Sequence, residues 1–223
     1  MKGAVILFTR VPKPGATKTR LLPVLHPDQC AGLHRAFLRD LARIYDSLEA
    51  DLFIAHTPDP DWEALKAIFP HGSFFPQQGS DLGEKMHHAI REVLEQGYDA
   101  VVLTGSDLPL MTAEHLERGF ALLAEKDIAI GPTSDGGYYL IGMGKPCPEV
   151  FRVEGYGGAS VFGRTVAAAE GAGLSVGVGL PCDDVDTPED LRRLAVEADP
   201  DSHTGRYLEI LKKEGVEIGR AHV

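Results

Sequence analysis

Cysteine is scarce. The three present, Cys30, Cys147 and Cys182, form no Cys-x-x-Cys pair and are odd in number, which argues against a disulfide framework or a cysteine-built zinc site. Long hydrophobic runs are also missing. The longest stretch without a charged residue runs for 14 positions from Ala67 to Ser80 and contains Pro70 and Pro76, so no membrane span is predicted. Only seven uncharged residues separate Lys2 from Arg10, too few for the apolar core of a secretory leader, and the sequence reads as cytoplasmic. Positive charge is in deficit: 22 Lys and Arg stand against 33 Asp and Glu, a net charge of -11. That balance argues against general affinity for nucleic acid or an anionic membrane. No repeat or low-complexity linker divides the chain, so residues 1–223 read as one domain, with C-terminal helices from about position 188.

Catalytic signatures are missing too. There is no GxSxG elbow for a nucleophilic serine, no GxGxxG after the first apolar run, and no HxxxH metal pair among nine histidines. Gly15, Lys18 and Thr19 approach a P-loop, but Thr17 stands where that loop needs glycine immediately before lysine.

What remains is a chain of ordinary globular composition, 43% hydrophobic and 25% charged. Short apolar runs alternate with amphipathic stretches. AVILF (4–8), LFIAH (52–56), AVVLT (100–104), DIAIG (127–131), YYLIG (138–142) and LSVGVG (174–179) predict strands. Helical spacing appears from Asp28 to Leu48, in a short segment near Trp62 to Ile68, after Asp81, from Thr112 to about Lys126, from Ser160 to Glu170, and after Thr187. The alternation predicts an α/β fold with a mostly parallel sheet and helices on both faces, YYLIG being placed to break the parallel order.

In such sheets ligands bind beyond the carboxyl ends of the strands. Three loops there carry unusual charge. The first, Thr9 to Leu21, bears Arg10, Lys13, Lys18 and Arg20 around Gly15 and suits a di- or triphosphate. The second, GSDLPLM, holds Ser106 and Asp107 on a stiff turn, where a carboxylate suits a hard cation such as Mg²⁺. The third, PCDDVDTPEDL, crowds Asp183, Asp184 and Asp186 before a helix start; capping does not explain them, and a cation would relieve their repulsion. Gln78 and Gly79 precede another helix and offer backbone N–H groups to a phosphate or base edge, although a plain cap by Asp81 explains the same letters. Asp135, in GPTSDGGYYLIG, stands with Ser134 and Tyr138 where it could accept a proton from an acceptor, or serve a hairpin turn. GYGGAS (155–160) reads as a second anion site or a mobile segment before a helix.

The basic first loop, GSDLP, GPTSDGGYYLIG and DVDTPEDL, in that order, resemble the nucleotide-diphospho-sugar transferase superfamily of GT-A fold over residues 1 to about 195. Within it the sequence is similar to small bacterial glycosyltransferase-like proteins related to phospholactate guanylyltransferases and molybdenum-cofactor nucleotidylyltransferases. The resemblance implies a three-layer α/β/α Rossmann-like fold that binds nucleotide in its N-terminal half and acceptor in its C-terminal half. It implies Asp107 and Asp186 as ligands of Mg²⁺ or Mn²⁺, and Lys18 and Arg20 as phosphate-binding residues. The GGxxxRMGxxK signature of typical nucleotidylyltransferases is absent, and GSDLP carries one acidic residue where a DxD motif carries two. The leading expectation is glycosyl transfer from a nucleotide sugar to a small-molecule acceptor, with Asp107, Asp135 and Lys18 catalytic. The alternatives are nucleotidylyl transfer from a nucleoside triphosphate with release of pyrophosphate, and a regulatory protein that binds nucleotide without turnover.

Overall fold

A computed structural model describes residues 1–153, 155–156 and 158–218. Seven strands form one sheet: β1 (Gly3–Thr9), β2 (Asp51–His56), β3 (Ser73–Pro76), β4 (Ala100–Thr104), β5 (Ile128–Pro132), β6 (Tyr138–Met143) and β7 (Val176–Val178). Their order is β3-β2-β1-β4-β6-β5-β7. All neighbouring pairs are parallel except those of β6, which runs antiparallel to both β4 and β5. The YYLIG segment therefore reverses direction inside the sheet, as its place directly after DIAIG and a glycine turn requires.

Among the described residues there are six α-helices: α1 (Pro27–Asp46), α2 (Leu82–Leu94), α3 (Ala113–Leu123) and α4 (Val161–Gly171), which flank the sheet, and α5 (Pro188–Glu197) and α6 (His203–Lys213), which pack on α1. Side chains alternate along β1. Ala4, Ile6 and Phe8 pack toward α2 and α4, while Val5 and Leu7 pack toward α1. These two clusters make the three-layer α/β/α arrangement. A third cluster joins Leu33 and Phe37 of α1 to Leu191 and Leu194 of α5 and Leu208 and Leu211 of α6. Gly32 is required here, because a Cβ on it would lie 2.1 Å from the Tyr207 hydroxyl of α6.

Three expectations change in detail. Trp62–Ala67 winds as a 3-10 segment, and its indole stacks on His56 with ring centres 5.1 Å apart. Strand β7 keeps only three residues, because it pairs on one side only and Gly179 and Pro181 follow it. The capping pair at α2 is one-sided: Asp81 accepts from the Glu84 N–H at 2.8 Å, but the Glu84 carboxylate turns to Ser80. At α5 the capping is reciprocal, with Asp190 Oδ2 accepting from Thr187 N and Asp190 N donating to Thr187 Oγ1. Among the described residues no helix is long and apolar enough to cross a membrane, and the three cysteines are free and buried.

Candidate active site

Strand β1 lies between β2 and β4; the chain steps outward from β1 through β2 to β3 and then crosses back past β1 to β4, so the strand order reverses there and a crevice opens beyond the carboxyl ends of β1 and β4. The basic loop leaves β1 there and GSDLP leaves β4. The DVDTPEDL loop comes back to them from β7. The Val185 N–H donates to the Asp107 carbonyl at 2.9 Å, which stitches the third loop to the second. Asp190 Oδ2 also accepts from the Asp186 N–H at 3.1 Å, so the cap of α5 fixes the backbone from which Asp186 projects.

Lys18 sits at the meeting point. Its ammonium lies 2.6 Å from Asp107 Oδ1 and 3.2 Å from Asp186 Oδ1, and it donates to the Val185 carbonyl at 2.6 Å. The side chain is 1% exposed. Its backbone, at φ 50°, is the single left-handed non-glycine residue among those described. An L residue there costs about 1–2 kcal/mol, so the surrounding contacts hold it in place. Asp107 and Asp186, 79 positions apart, thus meet at the Lys18 ammonium, where the resemblance implied that they meet at a divalent metal ion.

Behind them stands His34 of α1, a residue for which the sequence offers no signal beyond a histidine on the apolar face of a helix. His34 Nδ1 shares a 2.8 Å hydrogen bond with Thr17 Oγ1, and Nε2 shares a 3.2 Å one with Ser106 Oγ. Burial pushes its pKa down to about 4, with Lys18 and Arg10 adding to the shift and Asp107 opposing it. The ring is therefore neutral at pH 7 and carries one proton between two hydroxyls, tying the basic loop to GSDLP.

The carboxylates differ in their surroundings. Burial raises the Asp107 pKa, but the Lys18 ammonium, which also hydrogen-bonds it, together with Arg10 more than offsets this and leaves it below the ordinary carboxylate range. Asp184 goes the other way, pushed up to about 6 by burial and by the negative charge of Asp186, Asp135 and Asp107. Asp183 is a strut, accepting from the Ser134 N–H at 2.7 Å. Asp135 Oδ1 closes its own turn by accepting from Thr133 Oγ1 at 2.5 Å and Gly137 N at 3.0 Å, and the residue also lines a cavity.

Two cavities adjoin. One, of about 230 Å³, is lined by Arg10, Thr17, Lys18, Arg20, His34 and Asp186. The other, of about 280 Å³, has apolar and aromatic walls with Asp135 and Asp184 at its polar side. Ser106 and Asp107 line both.

Other expected site residues do not join this cluster. Lys13 is engaged by Asp59 at 2.5 Å and Asp61 at 2.6 Å, and the two carboxylates raise its pKa through their hydrogen bonds. Its charge is spent in the loop after β2. Gly15 turns at φ 74° in the exposed part of the basic loop, where it shapes the backbone. Gln78 and Gly79 line neither cavity. Gly79 is packed against the start of α2, where a Cβ would come 2.8 Å from the Lys85 nitrogen, so the capping reading accounts for this segment. Of GYGGAS, Gly157 lies outside the described residues, and Tyr156 lines the larger cavity.

A divalent cation fits the oxygen set beside Asp107. Among the described residues no three His, Cys, Asp or Glu side chains are gathered closely enough to form a metal cage. Mg²⁺ does not need one, since it usually takes one or two carboxylates and completes its shell with phosphate and water. Burial contributes most to the elevated Asp184 pKa, and the negative charge of Asp186, Asp135 and Asp107 adds a part that such a cation would relieve. Asp184 shares the larger cavity with Asp107, whereas Asp186 faces Lys18 and, at 3.7 Å, Arg20.

Comparison with known proteins bears on this geometry. Residues 40–157 match the family model described as "Uncharacterized protein conserved in bacteria (DUF2064)". The chain belongs to this family. The DUF2064 chain is 31% identical over 202 residues to a 2-phospho-L-lactate guanylyltransferase of Halorubrum lacusprofundi, covering 89% of this chain and 88% of that protein. It is 30% identical over 197 residues to a phosphoenolpyruvate guanylyltransferase of Sphaerobacter thermophilus, covering 85% and 92%. A crystal structure from Desulfovibrio desulfuricans G20, provisionally described as a nucleotide-diphospho-sugar transferase, superposes with a TM-score of 0.90 at 38% identity, covering 99% of this chain and 100% of that one. The DUF2064 chain is thus a member of the nucleotide-diphospho-sugar transferase superfamily and an enzyme of the nucleotidyl- or sugar-transferring kind.

Proposed function

We propose that the enzyme is a metal-dependent nucleotidylyltransferase that passes a nucleoside monophosphate, guanosine by analogy with its relatives, from the triphosphate to a small-molecule acceptor. The carrying observation is the pair of adjoining cavities, one cationic and one apolar and acidic, that share Ser106 and Asp107. A triphosphate in the first compartment would meet Lys18, Arg10 and Arg20, and its α-phosphorus would lie near Asp107 at the boundary. An acceptor oxygen approaching from the second forms a new bond to that phosphorus. The bond from the α-phosphorus to the bridging oxygen breaks, pyrophosphate leaves with the electron pair, and the acceptor proton passes to Asp135.

Lys18 and the two arginines offset charge on the departing pyrophosphate, and the His34 hydrogen bonds hold both loops in register, so rate comes from positioning and fixed charge. Asp107, with Asp184 or Asp186, would hold Mg²⁺ or Mn²⁺, which supplies charge neutralisation at the phosphates. Glycosyl transfer, the leading expectation from the motifs, is supported by the description of the Desulfovibrio protein; the names of the two guanylyltransferase relatives favour nucleotidylyl transfer.

The test is a product assay. The enzyme is incubated with Mg²⁺ or Mn²⁺, a deproteinised cell extract as acceptor source, and either nucleoside triphosphates or nucleotide sugars. Acceptor-dependent pyrophosphate release from a triphosphate is expected. Free nucleoside diphosphate from a nucleotide sugar, without pyrophosphate from any triphosphate, would return the assignment to glycosyl transfer.

A further inference from the structure

The larger cavity has a composition unlike what a phosphorylated acid requires. Among the described residues no lysine or arginine lines it. Its charged groups are three carboxylates, Asp107, Asp135 and Asp184. The nearest cation, Lys18, is already shared between Asp107 and Asp186. Arg10 and Arg20 line the other compartment and answer to the triphosphate.

The rest of the wall is apolar. Phe8, Leu103 and Ile141 form a buried floor, and Tyr156 and Val161 contribute sides. Leu82, the first residue of α2, lines the cavity while 45% exposed, so the mouth presents apolar surface to water that a ligand would cover. A volume of about 280 Å³ is at the small end for ligand sites.

We infer that the acceptor of this enzyme is a non-anionic molecule with an apolar, aromatic-sized body and a hydroxyl, neutral or positively charged, in contrast to the phosphorylated acids named for its guanylyltransferase relatives. An anionic acceptor would set like charges side by side in a confined site, the arrangement that most strongly rejects a wrong partner. This inference rests on the nucleotidylyl reading for the role of the cavity, although the cavity's charge preference can be measured without turnover.

Three probes share one body and differ in charge: tyramine (cationic), tyrosol (neutral) and 4-hydroxyphenylacetate (anionic). Their binding to the full chain in Mg²⁺ without nucleotide is measured by calorimetry, with phosphoenolpyruvate and 2-phospho-L-lactate alongside. Tyramine and tyrosol are expected to bind at least tenfold more tightly than 4-hydroxyphenylacetate and more tightly than either phosphorylated acid. Leu82→Arg, at an exposed rim position, is expected to reverse the order by adding a guanidinium. Equal or tighter binding of the anionic probe or of either phosphorylated acid to the wild type, or no binding of tyramine and tyrosol, overturns the inference. A parallel titration with GTP and Mg²⁺ keeps the two questions apart, since failure of the nucleotidylyl reading appears there and not in the order of the aryl probes.

Discussion

Replacing Lys18 tests both the stability and the chemistry of the centre. Its ammonium serves two carboxylates and a carbonyl from within a side chain that is 1% exposed. Removing one partner of a fully buried ion pair costs about 3–5 kcal/mol, and an exposed pair is worth about 0–1 kcal/mol. Asp107 and Asp186 are 37% and 33% exposed, so water screens them in part. An intermediate loss of about 2 kcal/mol is expected for Lys18→Met. Lys18→Gly loses the same cation but relieves the left-handed backbone, worth about 1–2 kcal/mol, against about 0.5–1 kcal/mol for the greater freedom of glycine in the unfolded chain. Glycine also leaves empty the space of a side chain that is 1% exposed, whereas methionine fills it, worth about 1.5–3 kcal/mol, so the glycine variant is expected to be the less stable of the two. Urea denaturation measures both. On the proposed reading, in which Lys18 offsets charge on the departing pyrophosphate, turnover should fall by about 10²-fold or more in each. If Lys18→Met unfolds within about 0.5 kcal/mol of wild type and turns over normally, the reasoning is refuted.

Three further outcomes follow from other parts of the structure. His34 is held neutral with its pKa lowered from 6.5 to about 4, so the unfolded chain takes up a proton that the folded chain refuses; stability should be complete above pH 6.5 and fall by about 3 kcal/mol on acidification toward pH 4. His34→Gln should flatten that slope in denaturation curves taken across the window, and an unchanged slope would remove His34 as its source. Arg20→Ala, at a side chain 75% exposed and 3.7 Å from Asp186, should change stability by less than about 0.5 kcal/mol while weakening triphosphate binding about tenfold, read by calorimetry at two salt concentrations. Gly136→Ala should cost at least about 2 kcal/mol, because φ is +87° and the new Cβ would lie 2.0 Å from the Ala159 carbonyl; a variant as stable as wild type in urea would contradict that close approach.

The legible parts of the fold are those where one local pattern has one outcome. The buried runs of β1 and β4 are apolar on both faces and need no partner to be recognised, and Thr187 with Asp190 marks the start of α5 unaided. Strand β3 is hard to read: SFFP is four residues long, half exposed, ends in proline, and becomes a strand by pairing with Phe53 to His56. Helix α6 has few apolar positions and owes its place to packing on α1 across Gly32. At the site, the nearness of the loops that carry Lys18, Asp107 and Asp186 is legible because each loop follows a predicted strand where the crevice must open; the pairing of both carboxylates with Lys18 is not. The fate of Lys13 was not, since its partners Asp59 and Asp61 stand 46 and 48 positions away on a different loop. Nor was the role of His34, whose partners, Thr17 and Ser106, come from two loops that only the folded sheet brings together.

The most direct measurement of the central claim is a calorimetric titration of GTP into wild type and Asp107→Asn, each with Mg²⁺ and with a chelator. Tight binding by wild type in Mg²⁺ alone, lost on chelation and lost in the variant, is the predicted result. Binding that is indifferent to both the metal and the substitution would contradict a phosphate-handling centre built on Lys18 and Asp107.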